Sequence, residues 1–250
     1  MAGAFAWLGI FIVSGAAAGV GTLLSFFPYT LRFVIRGNLP MPLVSVSTQR
    51  DPLLWRHLLV FSLLLVVLGL AHGWVNPLLE YQHMAIADGQ WWRLYSAHFA
   101  HLNHWHLLMN LGGFVLCAWF FPDIYSRRLL WLWLLVSPLV VSLLMLYVDQ
   151  ANGPYVGLSG ILHGWLVLAL LLGFRTHPWL HGLVLALVAG RLIGEQLPGY
   201  DAEYLRHWID GRVYVNAHLY GALTGVLLAA GVALVHRRRR SFMENSAARP

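Results

Sequence analysis

Pro154-Tyr155-Val156-Gly157-Leu158-Ser159-Gly160-Ile161-Leu162-His163-Gly164 carries the chain from a loop into a long apolar run and sets a serine hydroxyl at a helix start. Small hydroxyl residues help transmembrane helices approach one another, so a serine there is by itself an ordinary packing residue. The glycines on either side of it, and the histidines elsewhere that could meet it, ask for more than packing.

The surroundings of that stretch are those of a membrane. Of 250 residues, 59% are hydrophobic and only 10% charged, and the mean hydropathy is +0.65. A soluble domain is far less apolar, so an all-α polytopic membrane protein is expected, with about 20 apolar residues per span. Cys117 stands alone in an apolar run, which excludes an internal disulfide and any multi-cysteine metal site. The formal charge of +6 is concentrated in short connections and in Arg237-Arg238-Arg239-Arg240. That distribution orients a chain in a bilayer and does not describe a nucleic-acid-binding face, so lipid is the expected partner and nucleic acid is not. Trp74, Trp91, Trp92 and Trp131 lie near span ends, as an interfacial belt requires.

Taken in order, residues 1–36 read as an extra N-terminal transmembrane helix, apolar from Ala4 to Phe27 and carrying Gly15 and Gly19 as a close-packing face. It lacks the leading positive charge of a secretory signal. Residues 37–52, with Pro40, Pro42 and Pro52, form a linker. Spans follow at about 53–71, 105–121, 129–148, 157–174, 179–194 and 213–235, giving a six-helix core over 53–236 and a basic tail over 237–250. Arg50, Arg56, Arg127, Arg128, Arg175 and the Arg237–Arg240 cluster fall on alternate connections and at the tail, which makes that side cytoplasmic. The connections at 72–103, 149–156 and 195–212 are then outside, with Arg93, Arg206 and Arg212 as exceptions.

Three polar clusters stand at membrane depth or at its outer edge: His98, His101, His104, His106 and Asn110; Ser159 with His163; and Asn216 with His218. Polar groups in spans are costly and usually face the protein interior, so each is a functional candidate. A serine becomes a nucleophile when a base takes its proton, and histidine, with a free pKa of about 6.5, suits that role. His218 is the favoured base; His163, four residues after Ser159 on the same helix, is the alternative. Gly157 and Gly160 on one helix, with Gly221 and Gly225 on the other, are expected to let the two backbones close and bring Ser159 to His218. An oxyanion would find donors in the Ser159 amide, at the unpaired start of its helix, and in His106 and Asn110, which share a helix face.

Trp92-Arg93, His101, His106-Leu107-Leu108-Met109-Asn110, Gly157-Leu158-Ser159-Gly160 and Ala217-His218 with Gly221 and Gly225 resemble, in order and over about residues 53–236, the rhomboid family of intramembrane serine proteases. The resemblance implies a six-helix core and a Ser-His dyad rather than a triad, reached by water from the outer face. It casts Ser159 as nucleophile, His218 as base and Asn110 and His106 as oxyanion contributors. Trp92-Arg93 matches a pair in a loop lying against the membrane, and His101 matches a structural histidine. Many rhomboids carry tyrosine four residues after the serine, packed on the catalytic histidine. Here that position is His163, a form similar to the rhombosortase branch. That branch implies membrane-anchored substrates with C-terminal Gly-Gly-containing sorting tails, in a bacterial inner membrane, with the active site open to the periplasm and the C-terminus cytoplasmic. No cofactor and no metal are implied.

Two other readings compete. A membrane metallohydrolase would use histidine-bound zinc, although ligand pairs such as His-x-x-x-His are poorly represented in the spans. A non-catalytic rhomboid-like chaperone is the other. Glu195, Asp201, Glu203 and Asp210 are expected to be solvated loop carboxylates, and His177, His181 and His207 solvated or interfacial.

Overall fold

A computed structural model describes residues 53–149, 153–201 and 205–247; the expected N-terminal helix over 1–36 and the linker over 37–52 lie outside the described residues. Within them the chain is helical throughout. The long helices are α1 (Leu54–Leu70), α5 (His104–Phe120), α6 (Arg127–Tyr147), α7 (Ser159–Leu172), α8 (Pro178–Gln196) and α10 (Val215–Ala247). Short ones fold the connections: α2 (His72–Leu79), α3 (His83–Ala87) and α4 (Arg93–Ser96) between α1 and α5, and α9 (Arg206–Ile209) before α10.

Apolar runs become helices here because a bilayer leaves no other partner for backbone polar groups. The spans show it in what they bury. On α1 only Leu54, Leu58, Phe61, Leu65 and Gly69 are buried, a single stripe, while Leu59, Val60, Leu63 and Val67 of the same helix are exposed, as lipid-facing residues would be. By length and apolarity α6 and Val215–Met243 of α10 suffice to cross a membrane, and α1 with α2 forms a further apolar pair bent by 100°. Side chains fix the helix starts: Asn103 Oδ1 accepts the His106 N–H at 2.9 Å at the head of α5, and Ser126 Oγ accepts the Leu129 N–H at 3.3 Å at the head of α6.

The core is gathered around α7, whose Leu168, Trp165, Ile161 and Leu170 are wholly buried. Aromatic residues grip it from one side. Tyr125 stacks on Trp165 at 3.7 Å between ring centroids and donates its hydroxyl to the Trp165 carbonyl; Trp133 donates its indole N–H to the Ile161 carbonyl at 2.9 Å. On the other side α10 lies against α7 with glycine backbone in direct contact. A Cβ added at Gly221 would land on the carbonyl oxygen of Gly160, one at Gly164 on that of Gly221, and one at Gly225 on that of Gly164. Backbone thus touches backbone along the whole seam, the close approach that small residues permit. Gly157, expected on this seam, lies instead in the loop before α7.

Three of the differences from the expected spans have a clear local reason. α7 begins at Ser159 and not at 157, because Gly157 has φ +134°, outside the helical region. α8 continues past 194 to Gln196, stopped by an extended Leu197 before Pro198. α10 does not end at 236: no glycine or proline falls between Gly231 and Ala247, and the helix runs on through the basic tail.

The connection from α2 to α5 is held by Arg93, an exception to the charge pattern and half of the Trp92-Arg93 pair. It is 5% exposed and donates to the Glu80 carbonyl at 2.7 Å, the Pro77 carbonyl at 2.8 Å and Gln90 Oε1 at 2.7 Å. Trp92 donates its indole N–H to the Leu78 carbonyl, and half of its surface stays exposed. The pair ties this connection back to the end of α2.

Candidate active site

Ser159 is the first residue of α7, and His218 lies in the first turn of α10. The glycine seam between these helices sets their side chains together: Ser159 Oγ is 3.2 Å from His218 Nε2. The opposite nitrogen of that ring, Nδ1, is 3.0 Å from Glu195 Oε2. A carboxylate only accepts, so Nδ1 carries the proton, Nε2 is left with its lone pair, and the Ser159 hydroxyl donates to it.

His163 does not reach the hydroxyl with Nδ1. That nitrogen donates to the Ser159 backbone carbonyl at 2.8 Å, one turn back, and the ring stacks on His218 at 4.3 Å and 23°. Its neighbourhood is that of a ring holding another ring in place.

On the far side of Ser159, α5 brings His106 and Asn110, both buried, toward Gly157. The Leu102 N–H donates to His106 Nδ1 at 3.3 Å, which leaves the neutral ring its proton on Nε2, a donor. A Cβ built at Gly157 would stand 2.9 Å from that Nε2 and 3.7 Å from Asn110 Nδ2. Asn110 Nδ2 is buried and has no hydrogen-bond partner among the described residues. Two side-chain donors therefore converge on a space that only the missing glycine side chain keeps open, next to the first amides of α7, which have no intrahelical acceptors. The loop holding Gly157 is tied down on both sides: its N–H donates to the Ala97 carbonyl at 3.0 Å, and its own carbonyl accepts the Tyr155 hydroxyl at 2.7 Å.

Around this centre the other histidines sort by burial. His101 is fully buried with its ring edge-on to His106 at 5.3 Å, and burial, with His106 beside it, pushes its pKa down to about 3. His98 is equally buried, pairs through Nε2 with Ser142 Oγ at 2.9 Å, and is likewise driven by burial to about 3. His104, His177 and His207 are exposed. His181, expected to be solvated or interfacial, is instead buried with its ring on Phe121, because α8 turns that face inward beneath α7. Asn216 donates to Asp149 Oδ2 at 2.9 Å; the Tyr214 and Tyr220 hydroxyls donate to the same carboxylate. This clamp joins the end of α6 to the start of α10 just above His218.

The largest departure is Glu195. Of the four carboxylates expected to be solvated, Asp201 and Asp210 are exposed, and Glu203 lies outside the described residues. Glu195 is 4% exposed, one oxygen facing His218 and the other accepting from Arg191 Nε at 2.8 Å. The signal was present in Arg191-x-x-x-Glu195, an ion-pair spacing on one helix face, but ending the span at 194 cut it in half. Among the described residues no three His, Cys, Asp or Glu side chains converge as a metal ion requires.

Two comparisons bear on this arrangement. Residues 88–234, more than half of the chain, match the family model described as Rhomboid domain. No curated protein matches the chain.

Proposed function

Because the chain belongs to the rhomboid family of intramembrane serine proteases, we propose that it cleaves membrane-anchored proteins at or near a transmembrane segment through an acyl-enzyme on Ser159. The observation that carries this reading is the 3.2 Å approach of Ser159 Oγ to His218 Nε2 beside the cradle at Gly157. His218 accepts the Ser159 proton as Oγ adds to the scissile carbonyl. The oxyanion that forms is met by His106 Nε2–H, Asn110 Nδ2 and the Ser159 amide. His218 then returns the proton to the leaving amine, and water, activated by the same imidazole, releases the acyl group.

The geometry also supports a depth. At 1.5 Å per residue the 14 residues of α7 are about 21 Å long, against a hydrocarbon core of about 30 Å. With Arg175 marking the interface at its other end, Ser159 sits roughly 10 Å below the opposite surface. Arg127 begins α6, Arg175 follows the end of α7 and Arg237 lies far along α10, all distant in sequence from Ser159, which favours a cytoplasmic C-terminus and a site open to the periplasm of a bacterial inner membrane. The substrate class follows from His163: stacked on His218 where many rhomboids place tyrosine, it points to the rhombosortase branch and to substrates ending in Gly-Gly-containing sorting tails.

Fluorophosphonate labelling of membranes holding wild type, Ser159→Ala, His218→Ala and His163→Ala tests the chemistry. Label is expected on wild type alone among the first three. A labelled Ser159→Ala would remove Ser159 as the nucleophile, and activity kept in His218→Ala but lost in His163→Ala would transfer the base role. Proteomics of exported proteins in a strain lacking the gene tests the substrate class: retained C-terminal tails are expected, and unchanged termini would reject it.

A further inference from the structure

Glu195 stands where the family resemblance leaves a vacancy. A rhomboid site is read as two residues, serine and histidine, yet here a third, buried side chain holds the histidine from behind. The reading below rests on the proposed protease chemistry.

A buried carboxylate costs several kcal/mol unless both of its oxygens find partners. Glu195 has them: His218 Nδ1 at 3.0 Å and Arg191 Nε at 2.8 Å. Within its own helix the carboxylate is met by Arg191, one turn back. Glu195 is the penultimate residue of α8, at the end where the helix dipole disfavours negative charge. Arg191 is fixed in turn, with its guanidinium 5.4 Å from the centre of the Tyr200 ring. The titratable and charged groups facing His218 are therefore Glu195 with Arg191 from α8, His163 from α7 and His106 from α5. Of these only Glu195 accepts a hydrogen bond from the ring.

We propose that Glu195 is a positioning residue that turns the Ser159–His218 pair into a Ser-His-Glu triad. Ionised, it accepts the Nδ1 proton, keeps Nε2 as the lone-pair nitrogen facing Ser159, and offsets the positive charge that His218 gains when it takes the serine proton. It remains a carboxylate throughout; the one proton that moves goes from Oγ to Nε2 and on to the leaving amine.

Glu195→Gln separates this role from packing. The amide has nearly the same shape, and Arg191 Nε, a donor, takes the amide oxygen. The amide NH2 then faces Nδ1, which must accept, so the ring proton is driven to Nε2, where it blocks the serine. With a membrane-anchored reporter substrate, kcat is expected to fall about 100-fold or more while KM stays within about 3-fold. Glu195→Asp, which keeps the charge but retracts it by one methylene, is expected to recover about 10-fold of that loss. Nitrogen-15 NMR of the neutral His218 ring is expected to change from the Nδ1–H to the Nε2–H tautomer in Glu195→Gln. A residue that merely packs would leave the tautomer and kcat alone. Should Glu195→Gln fail to fold, the Asp variant decides: lowered kcat at constant KM supports the triad, and wild-type kcat overturns it. If wild type is labelled by fluorophosphonate and Glu195→Gln is labelled at the same rate with its tautomer unchanged, the triad alone is overturned. If folded wild type takes no label, the protease reading falls and the triad with it.

Discussion

Replacing Gly157 by alanine adds one carbon to the protein at the point where the most is asked of an empty space. The new Cβ would lie 2.8 Å from His106 Cε1 and 2.9 Å from His106 Nε2, closer than carbon contacts allow, and the backbone there has φ +134°, a region L side chains rarely enter. Two penalties arise and they are measured differently. The backbone strain, of the order of 1–3 kcal/mol, falls on stability. The loss of the cradle falls on the transition state of the proposed reaction, because His106 must swing aside and the methyl fills the place proposed for an oxyanion. Losing a single oxyanion donor lowers kcat about 100- to 1,000-fold, or about 2.7–4 kcal/mol. The assay is cleavage of a membrane-anchored reporter beside thermal unfolding in detergent. Gly112→Ala is the control, since its Cβ would meet nothing within 4 Å and its helical backbone favours alanine. The expected result is a folded Gly157→Ala protein with kcat lowered at least about 100-fold, beside a Gly112→Ala protein of normal activity. A Gly157→Ala enzyme within about 3-fold of wild type would refute the claim that His106 and Asn110 serve the reaction through this cradle.

Other perturbations read other parts of the molecule. Gly221→Ala drives a methyl into the Gly160 carbonyl, so it is expected to lower stability by about 1–3 kcal/mol and to cost activity in step, both visible in a detergent unfolding series. Arg93→Ala strips the half-buried carbonyls at Pro77 and Glu80 of a donor, and about 0.5–1.5 kcal/mol of stability should go with each. Arg93→Lys, a single point donor, should restore only part of it. His98 and His101 are neutral in the fold, with values near 3, and charge at about 6.5 when unfolded, so their contribution is complete above about pH 6.5 and declines as pH falls toward 3. At about pH 5 the loss is about 2 kcal/mol for each, and an unfolding midpoint unchanged between about pH 7 and 5 would contradict their buried, uncharged state.

How much of this could be read from the residues alone depended on whether their information was local. Spans were legible because a bilayer converts a run of apolar residues into a helix with little help from tertiary structure. Ser159, His106, Asn110 and His218 were legible because they occur in an ordered set of short motifs. Glu195 was not: its meaning lies in a contact with His218, 23 positions away, and at the fading end of an apolar run it looks like any loop carboxylate. Gly157 misled in the opposite direction. Its closeness to Gly160 suggested a helix face, whereas a positive φ places it in a loop against α5, a distinction no spacing encodes. His181 shows the same limit, since exposure of a polar residue near a helix start depends on which face the neighbours cover.

The seam between α7 and α10 has a mechanical meaning as well. Ser159 and His218 stand on two rods joined by main chain against main chain at Gly160, Gly164, Gly221 and Gly225. A thicker or thinner bilayer, or lateral tension in it, can tilt the two rods but has little purchase on the gap between them. The distance on which the chemistry depends is set by the hardest contact in the protein, so the surrounding loops and the outer helices can flex without detuning it.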